Sequence, residues 1–100
     1  MELIFQKSFE NDLLAYWEFL FDKNPQAANA IVQEVYDKVD MLRDHPFAGQ
    51  SQRHISDDCR HLVVRPLVVL YRVVEDRVEL VRVLDGRRDV TAAMFEDHLD

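Results

Sequence analysis

Three β-rich runs follow one another between Arg60 and Asp89, and they constrain the fold more than any other feature of the chain. Residues 60–65, 67–75 and 77–85 are dominated by Val, Leu and Tyr, which is strand composition. Only Arg65-Pro66 and Glu75-Asp76 separate them. Connections that short force neighbouring strands to run antiparallel. A two-residue turn at Glu75-Asp76 sets Val74 against Arg77, Val73 against Val78 and Arg72 against Glu79. The last of these is a cross-strand ion pair, which agrees with the register.

That register assigns each side chain to a face, because successive residues of a strand point to opposite sides. Leu67, Val69, Tyr71, Val73, Val78, Leu80, Arg82 and Leu84 share one face. Val68, Leu70, Arg72, Val74, Arg77, Glu79, Val81, Val83 and Asp85 share the other. Both faces are rich in aliphatic residues, whereas a sheet with one wet side alternates more cleanly. Each side therefore needs a cover.

Upstream, Leu3-Ile4-Phe5 reads as a short first strand. From Phe9 to Lys23, Leu13, Leu14, Trp17, Leu20 and Phe21 recur at spacings of three and four, which predicts a helix with Ser8 or Asn11 as its cap. Asn24-Pro25 starts a second helix, with Asn as cap and Pro at the first helical position. Ala28, Ile31, Val35, Val39 and Leu42 form its stripe, and His45-Pro46 ends it. The single-residue connection makes the two helices an antiparallel hairpin. Residues 47–58 read as a loop, and residues 90–99 as a short segment of helical character.

The sum is one α+β domain spanning residues 1–100. It comprises an N-terminal strand, an antiparallel helical hairpin, a three-stranded antiparallel meander and a short C-terminal segment. The hairpin can hide one face only. The second, carrying Val68, Leu70, Val81 and Val83, must meet the C-terminal segment, another copy of the chain or a different protein.

Composition narrows the function. Net charge is −7, and it is unevenly placed: residues 1–58 carry −6, residues 59–89 carry +2 and residues 90–100 carry −3. An acidic chain is a poor generic binder of nucleic acid, which requires phosphate neutralisation. No apolar run has the length of a membrane span. The opening MELIFQKSF lacks the pattern of a secretory signal, and Cys59 is the only cysteine, so a cytoplasmic location is expected.

The order NPQAA, a helix ending at HPFAG, then LVVRPLVVLYRV and VELVRVLDGRRD resembles the ParE branch of the ParE/RelE superfamily of bacterial toxins, over about Phe9 to Asp89. The resemblance implies a plasmid-stabilisation-type toxin encoded beside an antitoxin that wraps and neutralises it in a hetero-oligomer. It also implies that ParE-like members poison DNA gyrase while RelE-like members cut messenger RNA on the ribosome. Many members carry histidine where this chain has Asp85. The resemblance places the RelE-type nuclease positions at His61, Val63 and Val68, with Arg88 the one basic group kept. Valines neither relay protons nor stabilise phosphorane charge, so no catalytic residue is expected. A ribosome-dependent nuclease using Arg60, Arg72 and Arg88 is the alternative, and a non-toxic member that keeps only antitoxin binding is a third.

Candidate partner-binding residues are Leu70, Arg72, Val81, Arg82, Val83, Arg87, Arg88 and Asp89. Arginine forks suit carboxylate and planar partners. The alternative for Arg87-Arg88-Asp89 is closure of a turn. For Arg82 it is a side chain that snorkels past the hairpin. Trp17, Phe21 and Tyr71 are expected in the core, and Met41 and Met94 as gap-fillers. Cys59, His54 and His61 lack a fourth metal ligand, so neither metal nor cofactor is expected.

Overall fold

The computed structural model describes residues 1–87 and 91–96. β1 (Glu2–Phe5) leads into α1 (Lys7–Phe21) and α2 (Pro25–Asp40), which a 3-10 turn (Met41–Arg43) extends. Then come β2 (Gln50–Ser51), β3 (Arg60–Val64), β4 (Leu67–Val74), β5 (Arg77–Asp85) and α3 (Ala92–Glu96). Asn24 caps α2 as its chemistry predicts, its side chain accepting from the Ala27 N–H, with Pro25 in the first turn. α1 is different. Gln6 occupies its N-cap without a side-chain hydrogen bond, and Ser8 is spent elsewhere.

The sheet has five strands in the order β1-β5-β4-β3-β2. β3, β4 and β5 form the expected antiparallel meander, and Val74↔Arg77, Val73↔Val78 and Arg72↔Glu79 pair as the Glu75-Asp76 turn requires. β1 pairs parallel with β5, from Glu2↔Arg77 to Phe5↔Leu80, so β5 lies inside the sheet. β2 is a two-residue strand within the stretch read as a loop, and it pairs only with Arg60 and His61.

The face assignment fails beyond Tyr71, for a single cause. A β-bulge lies between Leu70 and Tyr71: Tyr71 pairs with Leu80, but Leu70 pairs with Arg82, leaving Val81 as an extra residue on β5. Every later side chain of β5 is thereby inverted relative to simple alternation. Val83, expected on the second face, lies in the core under the helices with Val69 and Tyr71. Leu84, expected under the helices, lies on the opposite side with Leu70 and Val81. The backbone groups freed by the bulge are taken up by α1. Ser8 Oγ donates to the Val81 carbonyl at 2.5 Å, and the Asp12 carboxylate accepts the Val83 N–H at 3.0 Å.

The second apolar side is closed by the chain itself. Ile55 and Cys59 from the long connection, and Phe95 from α3, pack against Leu70, Val81 and Leu84. Leu70 is 1% exposed and Val81 0%. The expected sticky patch over Leu70 and Val81 is therefore core.

The stripe predicted for α1 is also rotated. Phe9 and Leu13 are its buried residues, with Tyr16 and Leu20 against the core, whereas Leu14 and Phe21 are exposed. Trp17 stacks on Phe21 with ring centroids 4.7 Å apart and donates its indole N–H to Asn29. The aromatic pair expected inside thus clamps the outside of the hairpin. Tyr71 is fully buried as expected.

Candidate functional site

The arginines of the sheet were the chain's most conspicuous recognition groups, and each described one is already engaged. Arg72 donates to Glu79 at 2.7 Å and reaches Asp58 at 3.4 Å; Arg77 donates to the other Glu79 oxygen at 2.9 Å. Arg82 forks onto both Asp12 oxygens at 2.6 and 3.0 Å and donates to the Met94 carbonyl, so it ties α1 to α3 across the bulge. Arg82 neither snorkels to solvent nor lines a groove. Arg87 donates its N–H and its guanidinium to Asp85, which closes the turn at Gly86. Arg88 and Asp89 lie outside the described residues.

Glu79 is nearly buried between its two arginines. Burial raises its carboxyl, but hydrogen bonds and charge from Arg72 and Arg77 outweigh burial and hold it below the usual carboxylate range. A depressed folded pKa stabilises the fold in full above the unfolded carboxyl value near 4.5, and that stability drains away as pH falls through the folded value. Urea midpoints at pH 6 and pH 3 are expected to fall further in the parent chain than in Glu79→Gln. Equal falls would remove Glu79 from the acid response.

The connection between the hairpin and β3 is held by one phenol. The Tyr71 hydroxyl donates to the Pro46 carbonyl at 2.9 Å and accepts the Gly49 N–H at 2.8 Å. Arg60 stacks over the Phe47 ring at 4.9 Å and donates to the Gly49 carbonyl at 2.8 Å. Gly49 is required by close approach: a Cβ there would meet the His61 carbonyl and the Tyr71 ring and hydroxyl, all at 2.6 Å.

Two titratable side chains, Cys59 and His61, flank this connection. The buried Cys59 thiol is pushed up to about 12 by burial and by Asp58, so it stays protonated. Burial lowers the His61 imidazole, which bonds Gln52 at 2.5 Å and is neutral at pH 7. Val63 and Val68 bring no ionisable group to β3 and β4. Among the described residues, no three His, Cys, Asp or Glu side chains cluster as metal ligands, and no helix is long and apolar enough to cross a membrane.

Two open surfaces escaped the sequence reading. Between the helices, Leu14, Trp17, Val32 and Tyr36 line a largely apolar groove of 550 Å³ with Glu10 on its rim. Along the sheet's β3 side, Met41, Val63 and Val64 line a second of 780 Å³, with Glu34, Asp37, Lys38 and Arg65. Part of the first was visible as Leu14 and Trp17 of the α1 stripe, which the sequence reading turned toward the core.

Among solved structures, the fold matches a chain described as the chromosomal ParDE TA system from P. aeruginosa, with a TM-score of 0.75 at 20% identity. The match covers 85% of this chain and 95% of that one. No curated protein sequence matches significantly. A family model matches residues 3–90, which take in both long helices and, but for Glu2, all five strands, and its description is the ParE toxin of the type II toxin-antitoxin system, parDE. The chain belongs to this ParE toxin family.

Proposed function

We propose that the chain is a cytoplasmic toxin that inhibits DNA gyrase by protein–protein contact and is neutralised by a cognate antitoxin in a hetero-oligomer. Family membership supplies the toxin class. Contact rather than catalysis is supported by one observation: Arg72, Arg77, Arg82 and Arg87 are each paired to carboxylates of the same chain. An arginine clamped by a carboxylate has little charge left for a phosphate. Arg60 is likewise spent on loop carbonyls. The alternative nuclease would need Arg60 and Arg72 free.

Purified chain added to gyrase and relaxed plasmid is expected to suppress supercoiling with increasing dose, and expression alone to stop growth with DNA-damage signalling. Normal supercoiling in the presence of folded protein removes gyrase as the target. Cut messages after induction would restore the nuclease. Undisturbed growth would leave a member that only binds antitoxin.

A further inference from the structure

β1 closes one end of the sheet, and only β5 lies beside it. The direction of its backbone groups follows from the residue that continues it. The Gln6 N–H donates inward to the Leu80 carbonyl at 3.0 Å, and in a parallel pair alternate residues repeat that direction. Glu2 and Ile4 therefore bond β5, while the N–H and C=O of Leu3 and Phe5 aim out of the sheet. Among the described residues no backbone group bonds them. Glu2 is the one charge on the strand, which has neither the proline, the bulge nor the central lysine that commonly guards an edge.

A groove of 420 Å³ runs along this edge, between Leu3 and Phe5 on one side and Tyr36, Asp37, Asp40 and Arg43 on the other. The Met1 ammonium donates to the Arg43 carbonyl at 2.9 Å, which sets Arg43 at the Leu3 end. Phe5 packs on Tyr36 with ring centroids 5.6 Å apart, which sets Tyr36 and the adjoining Asp37 at the Phe5 end. The two ends thus carry opposite charge, and neither is used up. Arg43 meets Asp40 through Nε alone, at 2.7 Å, and Asp37 has one oxygen engaged, by Gln33 at 2.8 Å.

We propose that β1 pairs antiparallel with β1 of a second copy of the chain, about a twofold axis through Ile4, so that two sheets join edge to edge. The spacing of the free groups is self-matching. Leu3 of each copy stands opposite Phe5 of the other, and each such pair exchanges N–H···O=C bonds in both directions. The same axis turns the charged ends of the groove onto each other, so that Arg43 of each copy meets Asp37 of the other. On the opposite face the two half-buried Ile4 side chains meet at the axis. This symmetry is what favours a second copy over an unrelated strand: the chain itself supplies every group that the contact needs. Four residues of edge and one groove per copy make a small interface, so assembly is governed by concentration. The proposal rests on the fold, and neither gyrase nor the antitoxin enters it.

The test is sedimentation velocity on the isolated full chain over a concentration series, with amide hydrogen exchange followed by NMR on the same samples. The mass is expected to rise from monomer to dimer, and the Leu3 and Phe5 amides to exchange at least ten-fold more slowly in the dimer. Arg43→Asp sets like charges across the axis and should weaken the dimer at least ten-fold. Asp37→Arg should do the same from the other side. Both positions are exposed, so the fold has little stake in either, and one variant serves if the other misfolds. The double variant Arg43→Asp/Asp37→Arg exchanges the partners without losing complementarity and should dimerise as the parent does. A mass that stays monomeric at NMR concentration overturns the proposal. So does a dimer that is indifferent to the single variants or that the double variant fails to restore. Leu3 and Phe5 amides that exchange equally fast in dimer and monomer would assign the contact to another surface and overturn it too.

Discussion

Val81→Asp is expected to unfold the protein at moderate temperature. Val81 is the extra residue of the β5 bulge, fully buried among Leu70, Leu84, Ile55, Cys59 and Phe95. A carboxylate there would have neither water nor a counter-charge, and an uncompensated buried charge belongs to the most damaging class of substitution. A loss of about 4 kcal/mol or more follows, which for a domain this size lowers Tm by roughly 15–30 °C. Val63→Asp is the control. It lies on the same sheet but is 36% exposed, and a cost of about 1 kcal/mol or less is expected. Melting curves by circular dichroism decide the matter. If Val81→Asp melts within a few degrees of the parent, α3 does not seal this side in solution, and Val81 returns to the list of partner contacts.

The second large effect is Gly49→Ala. The added methyl would sit 2.6 Å from a backbone carbonyl of β3 and equally close to the Tyr71 phenol. Tyr71 is fully buried and paired on β4 with Arg60, so its ring cannot swing out. The His61 carbonyl belongs to β3 where β2 pairs with it, so it cannot retreat without breaking that pairing. The connection must move, and with it go the two hydrogen bonds of the Tyr71 hydroxyl. Overpacking together with those losses is expected to cost about 3 kcal/mol. Gly86→Ala gives the comparison. Its Cβ would stand 3.1 Å from the Pro66 carbonyl and a Val68 methyl, contacts that a few tenths of an ångström relieve. A urea midpoint for Gly49→Ala no lower than that for Gly86→Ala would show that the 46–49 segment is not fixed by Tyr71.

The parts of this fold that local chemistry determines were readable from residues. Glu75-Asp76 gave the β4–β5 register because a two-residue turn leaves no freedom, and Asn24-Pro25 gave the start of α2 because side-chain cap and proline agree. The bulge left no such mark. Leu80, Val81, Arg82 and Val83 are all acceptable strand residues, and no glycine announces the extra position. It is set by partners distant in sequence: Asp12 accepts the Val83 N–H, and Ser8 donates to the Val81 carbonyl. The rotation of the α1 stripe has the same origin. Leu14, Trp17 and Phe21 are as apolar as Phe9, Leu13 and Leu20, and only the docking of α1 against β5 decides which set is buried. The candidate site suffered most from this. Leu70 and Val81, chosen because an apolar side lacked a cover, proved to lie beneath five residues of α3 and one turn of the connection, neither of which has periodicity to read, while Val83 lies under the helices.

The parallel contact of β1 with β5 has a consequence for how the molecule is made. Leu3 finds its partner at Val78 and Phe5 finds Leu80, so β1 has no strand partner until β5, 75 residues downstream, has left the ribosome. A nascent chain can form its helical hairpin early, but it cannot close its sheet before translation of β5 is finished, and closure over so long a separation is slow. Synthesis therefore imposes a built-in delay between the appearance of this polypeptide in the cell and its first fully assembled copy.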